Sequence, residues 1–416
     1  MRDTPESLYS RRSKRVMDAV QLGIPDRVPC MPIFSFFAAR YGGLTCEEAM
    51  YDYEKLHAAA RKTIIDLKPD MYSNPFPTVA LGPIMEIMGC RYMRWPGGGL
   101  PPDVCYQFVE KEYMKAEEYD DLIFDPTGFV LRRLIPRHYR ALEPLEQTPP
   151  LPALYYTRFM TGTAAFASPE VSGALAALVR AGTEAREMLS KAAIFTEEMK
   201  ALGFPAQTGG IAYAPFDYIG DFLRGTRGIM LDMYRAPDKL LQAMEKLIPF
   251  ILHAAVSAAR ANGTPFIFMP LHKGLDGFMS LVQFKTFYWP SLQKVILNLI
   301  QQDLIPVVLW EGDCTSRLET IREIPRGKAI YWFERTDIFR AKEVLGDVVC
   351  IRGNVPASLF CTGTPEDVVT YCRKLIDVVG KDGGFILDGG VGIPDDARIE
   401  NVKAMFDTAR EYGLYR

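Results

Sequence analysis

Ionisable side chains gather directly after apolar runs in the second half of the chain. His272, Lys273 and Asp276 follow TPFIFMPL (264–271). Trp310, Glu311 and Asp313 stand at the end of DLIPVVLWE (303–311), with Cys314 adjacent. Trp332 and Glu334 close GKAIYWFE (327–334), Arg352 and Asn354 close DVVCIRG (347–353), and Asp388 lies in GFILDGG (384–390). A carboxylate beside an apolar run must be paired, metal-bound or raised in pKa. One histidine with two carboxylates, His272 with Glu311 and Glu334, could hold a divalent metal with open coordination positions. The same groups could instead cap helices or pair with Arg317, Arg335 and Arg352. The catalytic candidates are Glu311, His272, Lys273 and Asp276; Lys273 either fixes an anionic substrate group or pairs with Asp276. The binding candidates are Tyr213, Trp310, Trp332, Asn354 and Asp388. Tyr218, Phe216 and Trp95 widen the set into a possible aromatic pocket.

These residues need a scaffold that brings successive strand ends together. The apolar runs alternate with amphipathic segments near 281–302, 314–323, 337–345, 365–379 and 397–413. Strands apolar throughout, alternating with helices, indicate a parallel sheet covered on both faces. Thr364 before Pro365 reads as a helix N-cap. RVPCMPIF (27–34) and PDMYSNP (69–75) read as strands around a helix over 44–67. FPAQTGGIAYAPFD (204–217) reads as a strand entering a turn, before a long helix over 236–262. About eight strand–helix units result if one or two lie in 150–200. The expectation is an α/β fold: one (β/α)8 barrel over 1–416, with an elaborated N-terminal half and insertions within 76–200. In such barrels the chemistry lies at the C-terminal strand ends. An open doubly wound sheet is the alternative, but no GxGxxG turn follows the first strand.

Composition narrows the function classes. The chain has 416 residues, 48% hydrophobic and 24% charged, with a net charge of -3. No global positive field draws nucleic acid or an anionic membrane. No window approaches ~18 uninterrupted apolar residues, so no membrane span is expected. Eight scattered cysteines without a CxxC pair fit reduced thiols in a cytoplasmic protein. Four histidines leave little room for a histidine-built zinc site. No GxSxG, HExxH or P-loop occurs.

PDRVPCMPIF near the start, IRGNVPASLFCTGTPEDV (351–368) and GGFILDGGVGIPDDARIENVKAMFDTARE (383–411) resemble the uroporphyrinogen decarboxylase superfamily. The resemblance covers about 16–76 and 200–416. It implies a (β/α)8 barrel and one of two activities. The first is cofactor-free decarboxylation of uroporphyrinogen. The second is methyl transfer to or from a corrinoid protein, usually with zinc. The decarboxylases carry an Arg-Gln-Ala-Gly-Arg segment after the first strand and an aspartate after the second. Here IFSFFAARYGG (33–43) keeps only Arg40, and Ser73 and Asn74 stand in the second place. The thiol-activating methyltransferases use a His-x-Cys and a later Cys, where this chain has Leu309, Glu311 and Val391.

The resemblance therefore implies a methyltransferase that demethylates a small methylated substrate, such as a methoxylated one, and passes the methyl group to a corrinoid protein. Zinc is the metal that the resemblance suggests. An ether oxygen is a poor leaving group and needs a Lewis acid or a proton donor. A cofactor-independent decarboxylase, with Lys273 or Arg352 on the carboxylate, is the alternative. MPLHKGLDGFMS (269–280) looks like a signature of one superfamily branch.

Overall fold

The computed structural model describes residues 4–415. Its main sheet has six parallel strands in sequential order: β1 (Gly210–Ile211), β2 (Phe266–Leu271), β3 (Ile305–Trp310), β4 (Ile330–Phe333), β5 (Cys350–Gly353) and β6 (Phe385–Ile386). Two short extended segments from the N-terminal half carry the pairing further. Leu387 N donates to Pro29 O (2.9 Å) and Asp70 N to Cys30 O (2.9 Å). Tyr72 N donates to Pro205 O (3.2 Å), Gln207 N to Tyr72 O (2.8 Å) and Gly209 N to Phe266 O (2.8 Å). Backbone hydrogen bonds thus run from β6 through 29–31, 70–72 and 205–207 to β1 and β2. Eight segments form the wall of a (β/α)8 barrel.

Period-two alternation divides the wall into two faces. Phe266, Ile305, Val307, Ile330, Cys350 and Ile386 pack inside with Met31 and Met71. Val16, Ala19 and Val20 of helix Pro5–Val20 join this interior cluster at the start of the strands. Ile267, Met269, Val308, Trp310, Tyr331 and Phe333 face outward into the helix layer. Helix Pro237–Asn262 lays Leu240, Ala243, Leu247, Ile251, Ala255 and Ala259 against the barrel. It is also the one described helix long and apolar enough to cross a bilayer. All eight cysteines are free thiols.

The 150–200 stretch holds no strand, contrary to the count that placed one or two there. Ser168 caps and Pro169 opens a 33-residue helix, Pro169–Ala201, rich in alanine. The segment 44–67 is two helices, Cys46–Tyr51 and Tyr53–Leu67, because Asp52 ends the first and caps the second. The segment 76–150 contributes short helices and a two-stranded ribbon, Met93–Arg94 with Gln107–Phe108. This lobe is clamped beside the barrel. Tyr113 N and Met114 N both donate to Leu223 O at 2.7 Å, and Tyr119 Oη donates to Asp232 (2.8 Å). Arg224 joins them, bonded to Asp232 (2.6 Å) and to Met114 O.

Candidate active site

Four inward positions continue the strands by one residue or one step: His272, Glu311, Glu334 and Asn354. Leu271 pairs with Trp310, Trp310 with Phe333, and Phe333 with Gly353, so the four stand at one level. His272 Nε2 lies 3.6 Å from Glu311 Oε1, and about a third of each side chain is exposed. This pair faces the mouth.

The rest of the constellation comes from the short helix after β1. Asp217, completely buried, accepts from the backbone N–H groups of His272 and Lys273 (both 3.0 Å) and from Tyr288 Oη (2.6 Å). Asp221 accepts from His272 Nδ1 (2.6 Å) and from Lys273 Nζ (2.5 Å). Asp221 sits on a widened π turn, Gly220–Arg224. Two glycines permit the approach. A Cβ on Gly220 would lie 2.7 Å from the Lys273 stem, and one on Gly274 would lie 2.6 Å from the Tyr288 ring.

The electrostatics follow from this packing. Burial would lower the His272 pKa, but the Asp221 bond and the charges of Asp217, Asp221 and Glu311 outweigh it and push it up to about 9. His272 is therefore an imidazolium at neutral pH, with Nδ1 committed to Asp221 and Nε2 turned toward the mouth. Burial would raise Asp221; the bond from His272 and the Lys273 charge outweigh it and hold this carboxyl below its usual range. Burial, then the Asp221 charge, push Asp217 up to about 6. Glu311 is raised by burial, against the opposing charge of His272, with Glu334 adding repulsion.

Other sequence candidates lie elsewhere. Glu334 shares the mouth, but its Oε2 accepts from Gly312 N (2.5 Å) and its Oε1 lies 3.7 Å from Arg335 Nε. Lys273 pairs with Asp221 and not with Asp276. Asp276 caps the loop before Arg317, accepting from Ser316 N and Oγ at 2.9 Å with Arg317 Nε at 3.2 Å. Asn354 donates to Glu334 O (3.2 Å) and accepts from Tyr371 Oη (3.0 Å), so it fixes the loops. Three binding candidates require correction. Trp310 faces outward against Tyr331 and Phe284, and Trp332 lies inside the barrel under Arg352, 3.7 Å from the guanidinium. Asp388 is wholly buried, bonded to Arg352 (2.7 Å). None of the three reaches the mouth. Tyr213 remains there, half-buried, beside Phe222 (5.4 Å).

The donor set does not fit a resident zinc. Such sites take at least three protein ligands, and no group of three His, Cys, Asp or Glu side chains is placed to hold a metal among the described residues. Glu334, the intended third ligand, is held by Gly312 N. Asp217, Asp221 and Tyr288 are functional candidates that the strand-end reading passed over. Their signal lay in APFDYIGDF, where two carboxylates stand four apart after a strand.

The family comparison falls on this same part of the chain. The family model described as uroporphyrinogen decarboxylase (URO-D) matches residues 178–412. The chain belongs to the URO-D family. Its URO-D region carries the whole His272–Asp221–Glu311 constellation and six of the eight wall segments. The uroporphyrinogen decarboxylase of Aromatoleum aromaticum is 29% identical over 141 residues, covering 33% of this chain and 38% of the relative. That of Magnetococcus marinus is 25% identical over 188 residues, covering 44% and 51%. The matches thus span about two fifths to one half of the length of these curated relatives. Among solved structures, a methyltransferase from Methanosarcina mazei superposes with a TM-score of 0.65 at 16% identity, covering 98% of this chain and 99% of that one. At that identity the likeness is one of fold.

Proposed function

We propose that this URO-D protein is a methyltransferase that takes a methyl group from the oxygen of a small methyl ether and delivers it to a corrinoid held by a partner protein. The observation that carries this reading is the proton donor at the mouth. His272 is gripped through Nδ1 by Asp221, charged, and free at Nε2 beside Glu311. When the methyl carbon leaves as a cation, the ether oxygen keeps the bonding pair and needs a proton. His272 Nε2–H supplies it, and Asp221 holds the ring in the tautomer and orientation that allow this. Glu311 orients the imidazolium and re-protonates it from solvent. A reduced corrinoid on the partner would supply the electron pair for the methyl group.

Decarboxylation is the second reading, favoured by the family's curated members. It requires a cation for the carboxylate, and the inner cations here are committed. Lys273 is bonded to Asp221, Arg352 to Asp388, and Arg317 to the carbonyl of Met279 with Asp276 beside it. A porphyrinogen with many carboxylates would meet Glu311 and Glu334 instead.

The test is methyl transfer from methoxylated compounds to a reduced corrinoid protein, followed through the cobalt spectrum. His272→Gln should lower the rate by ~10²–10⁴-fold, the usual contribution of a general acid. Glu311→Ala should lose most activity with the fold intact. Full activity in both variants would remove these residues from the chemistry. Release of CO2 from a carboxylated substrate without methyl transfer would establish the decarboxylase reading.

A further inference from the structure

The turn that carries Asp221 is held from the inserted lobe. Gly225, at φ 68° and ψ 166°, breaks the helical path directly after the π turn Gly220–Arg224. Carbonyls at the end of a helical segment lack partners within it, and here the lobe supplies the donors. His138 Nε2 lies 3.1 Å from Phe222 O. A carbonyl only accepts, so Nε2 carries the ring proton. Tyr113 N and Met114 N share Leu223 O, and Arg224 donates to Met114 O and to Glu112. Glu110 accepts from Thr226 N (2.7 Å) and from Thr226 Oγ1 (2.6 Å). Four of the five residues that follow Asp221 are thus bonded to the segment 110–138.

On its other side the turn meets the barrel. Gly220 packs against the Lys273 stem, and Asp221 spans His272 Nδ1 (2.6 Å) and Lys273 Nζ (2.5 Å). Bonds this short leave no slack, and a misplacement of ~1 Å can cost ~10²-fold in rate. His138 is the lobe side chain bonded closest to Asp221 in sequence. It is buried, edge-on to Tyr113 (4.3 Å, 84°) and beside Tyr92 (5.0 Å). Burial pushes its pKa down to about 4 against the Phe222 bond, so the ring is neutral at neutral pH. A phenylalanine would fill the same space, but only a ring with an N–H satisfies Phe222 O. The charged groups around His272 are Asp217, Asp221, Lys273 and Glu311, with Glu334 beyond Glu311. Among the described residues His138 bonds to none of these. Its removal changes no charge at neutral pH, so any effect on His272 must pass through the turn.

We propose that His138 is a positioning residue for the reaction: through the Phe222 carbonyl it holds the turn where Asp221 grips His272, so that the inserted lobe sets the geometry of the proton donor. The lobe then does for this turn what a further turn of helix would do elsewhere, and it does so from a different part of the chain. Loosening the clamp lets Asp221 drift from His272 Nδ1. The imidazolium loses the bond that fixes its ring and part of the negative charge that keeps it protonated.

The role in turnover rests on the methyl-transfer reading, and a titration without substrate separates the two. The full-length protein is labelled at its four histidines and titrated by nuclear magnetic resonance, with the His272 signal assigned by its loss in His272→Gln. His138→Ala should lower the His272 midpoint by about one unit, with thermal unfolding confirming an intact fold. His138→Gln, whose amide N–H can reach the same carbonyl, should restore it. In methyl transfer His138→Ala should lower kcat about 10–10²-fold and leave KM unchanged. Glu110→Ala, at an exposed site on the same clamp, should move the midpoint in the same direction. An unchanged His272 midpoint in folded His138→Ala, or in Glu110→Ala if His138→Ala does not fold, would overturn the proposal. A lowered midpoint together with no methyl transfer by the parent would uphold the clamp and defeat the methyl-transfer reading.

Discussion

Residues at the mouth gain their properties from partners more than from type. His272 has an ordinary value of 6.5; burial would lower it, but the Asp221 bond and the charges of Asp217, Asp221 and Glu311 move it to about 9. Its charged form is the one the proposed reaction uses, so methyl transfer should hold through neutrality and fall as pH rises through about 9. Asp221→Asn removes the charge that raises His272 most directly, so the descending limb should move to lower pH and the neutral rate should drop. A pH–rate profile of both proteins checks this; an unchanged limb in the variant would separate the limb from His272. Stability shares the sign. A group whose pKa is raised on folding contributes fully below its unfolded value and loses that contribution as pH rises through the folded one. For His272 the loss spans 6.5 to about 9. Asp217 and Asp388, both pushed up to about 6 by burial, lose their contributions between 3.8 and about 6. Lys273 illustrates what chain order alone leaves open: Asp276, three residues away, is one of two readings, but the Gly220 turn delivers Asp221 from across the strand top.

Strands transmit the sequence pattern to the site with little loss. The apolar runs beginning at 264, 303, 327 and 347 each contain a wall strand, and period two carries His272, Glu311, Glu334 and Asn354 to one level. What alternation could not say is which polar groups at or near these ends stay inside the barrel. Arg352 and Asp388 lie below that level, so their pair is enclosed with Trp332 while Glu311 reaches solvent. Trp310 was misplaced for the opposite reason: one residue before Glu311, it must face the helices. The buried pair yields an energetic prediction. Asp388→Ala leaves the Arg352 guanidinium uncompensated and should cost about 3–5 kcal/mol, whereas Asp388→Leu with Arg352→Met should recover most of that loss. Urea unfolding of both variants measures the difference. An equal cost in the double variant would mean that the pair is needed for packing and not only for mutual neutralisation.

Across the whole molecule, the recognisable part and the folding part are different lengths of chain. The URO-D match begins at 178, inside helix Pro169–Ala201, and includes β1–β6 with the complete acid constellation. It leaves out 29–31 and 70–72, which carry the pairing from β6 back to 205–207 through one backbone bond each at Leu387 and Asp70 and two at Tyr72. Those two segments are short and their motifs faint, yet they carry a dense polar lock. Asp70, fully buried, accepts from Arg15 (2.5 Å), from Arg27 (2.9 Å) and from Cys30 N (2.8 Å). Met31 and Met71 help fill the interior with Phe266 and Ile386. A chain trimmed to 178–412 would expose the edges of β1 and β6, remove both methionines from the interior and uncover the strand starts that Val16, Ala19 and Val20 close. Unpaired parallel edges bind one another or aggregate. The trimmed chain should therefore keep helical circular dichroism, lose its near-ultraviolet signal and melt without a cooperative transition. Adding 1–177 as a separate chain should restore a single transition if the eight-segment wall is the unit of stability. A trimmed chain that melts cooperatively by itself would show that the six-stranded sheet is stable without closure, and that the N-terminal half serves the mouth alone.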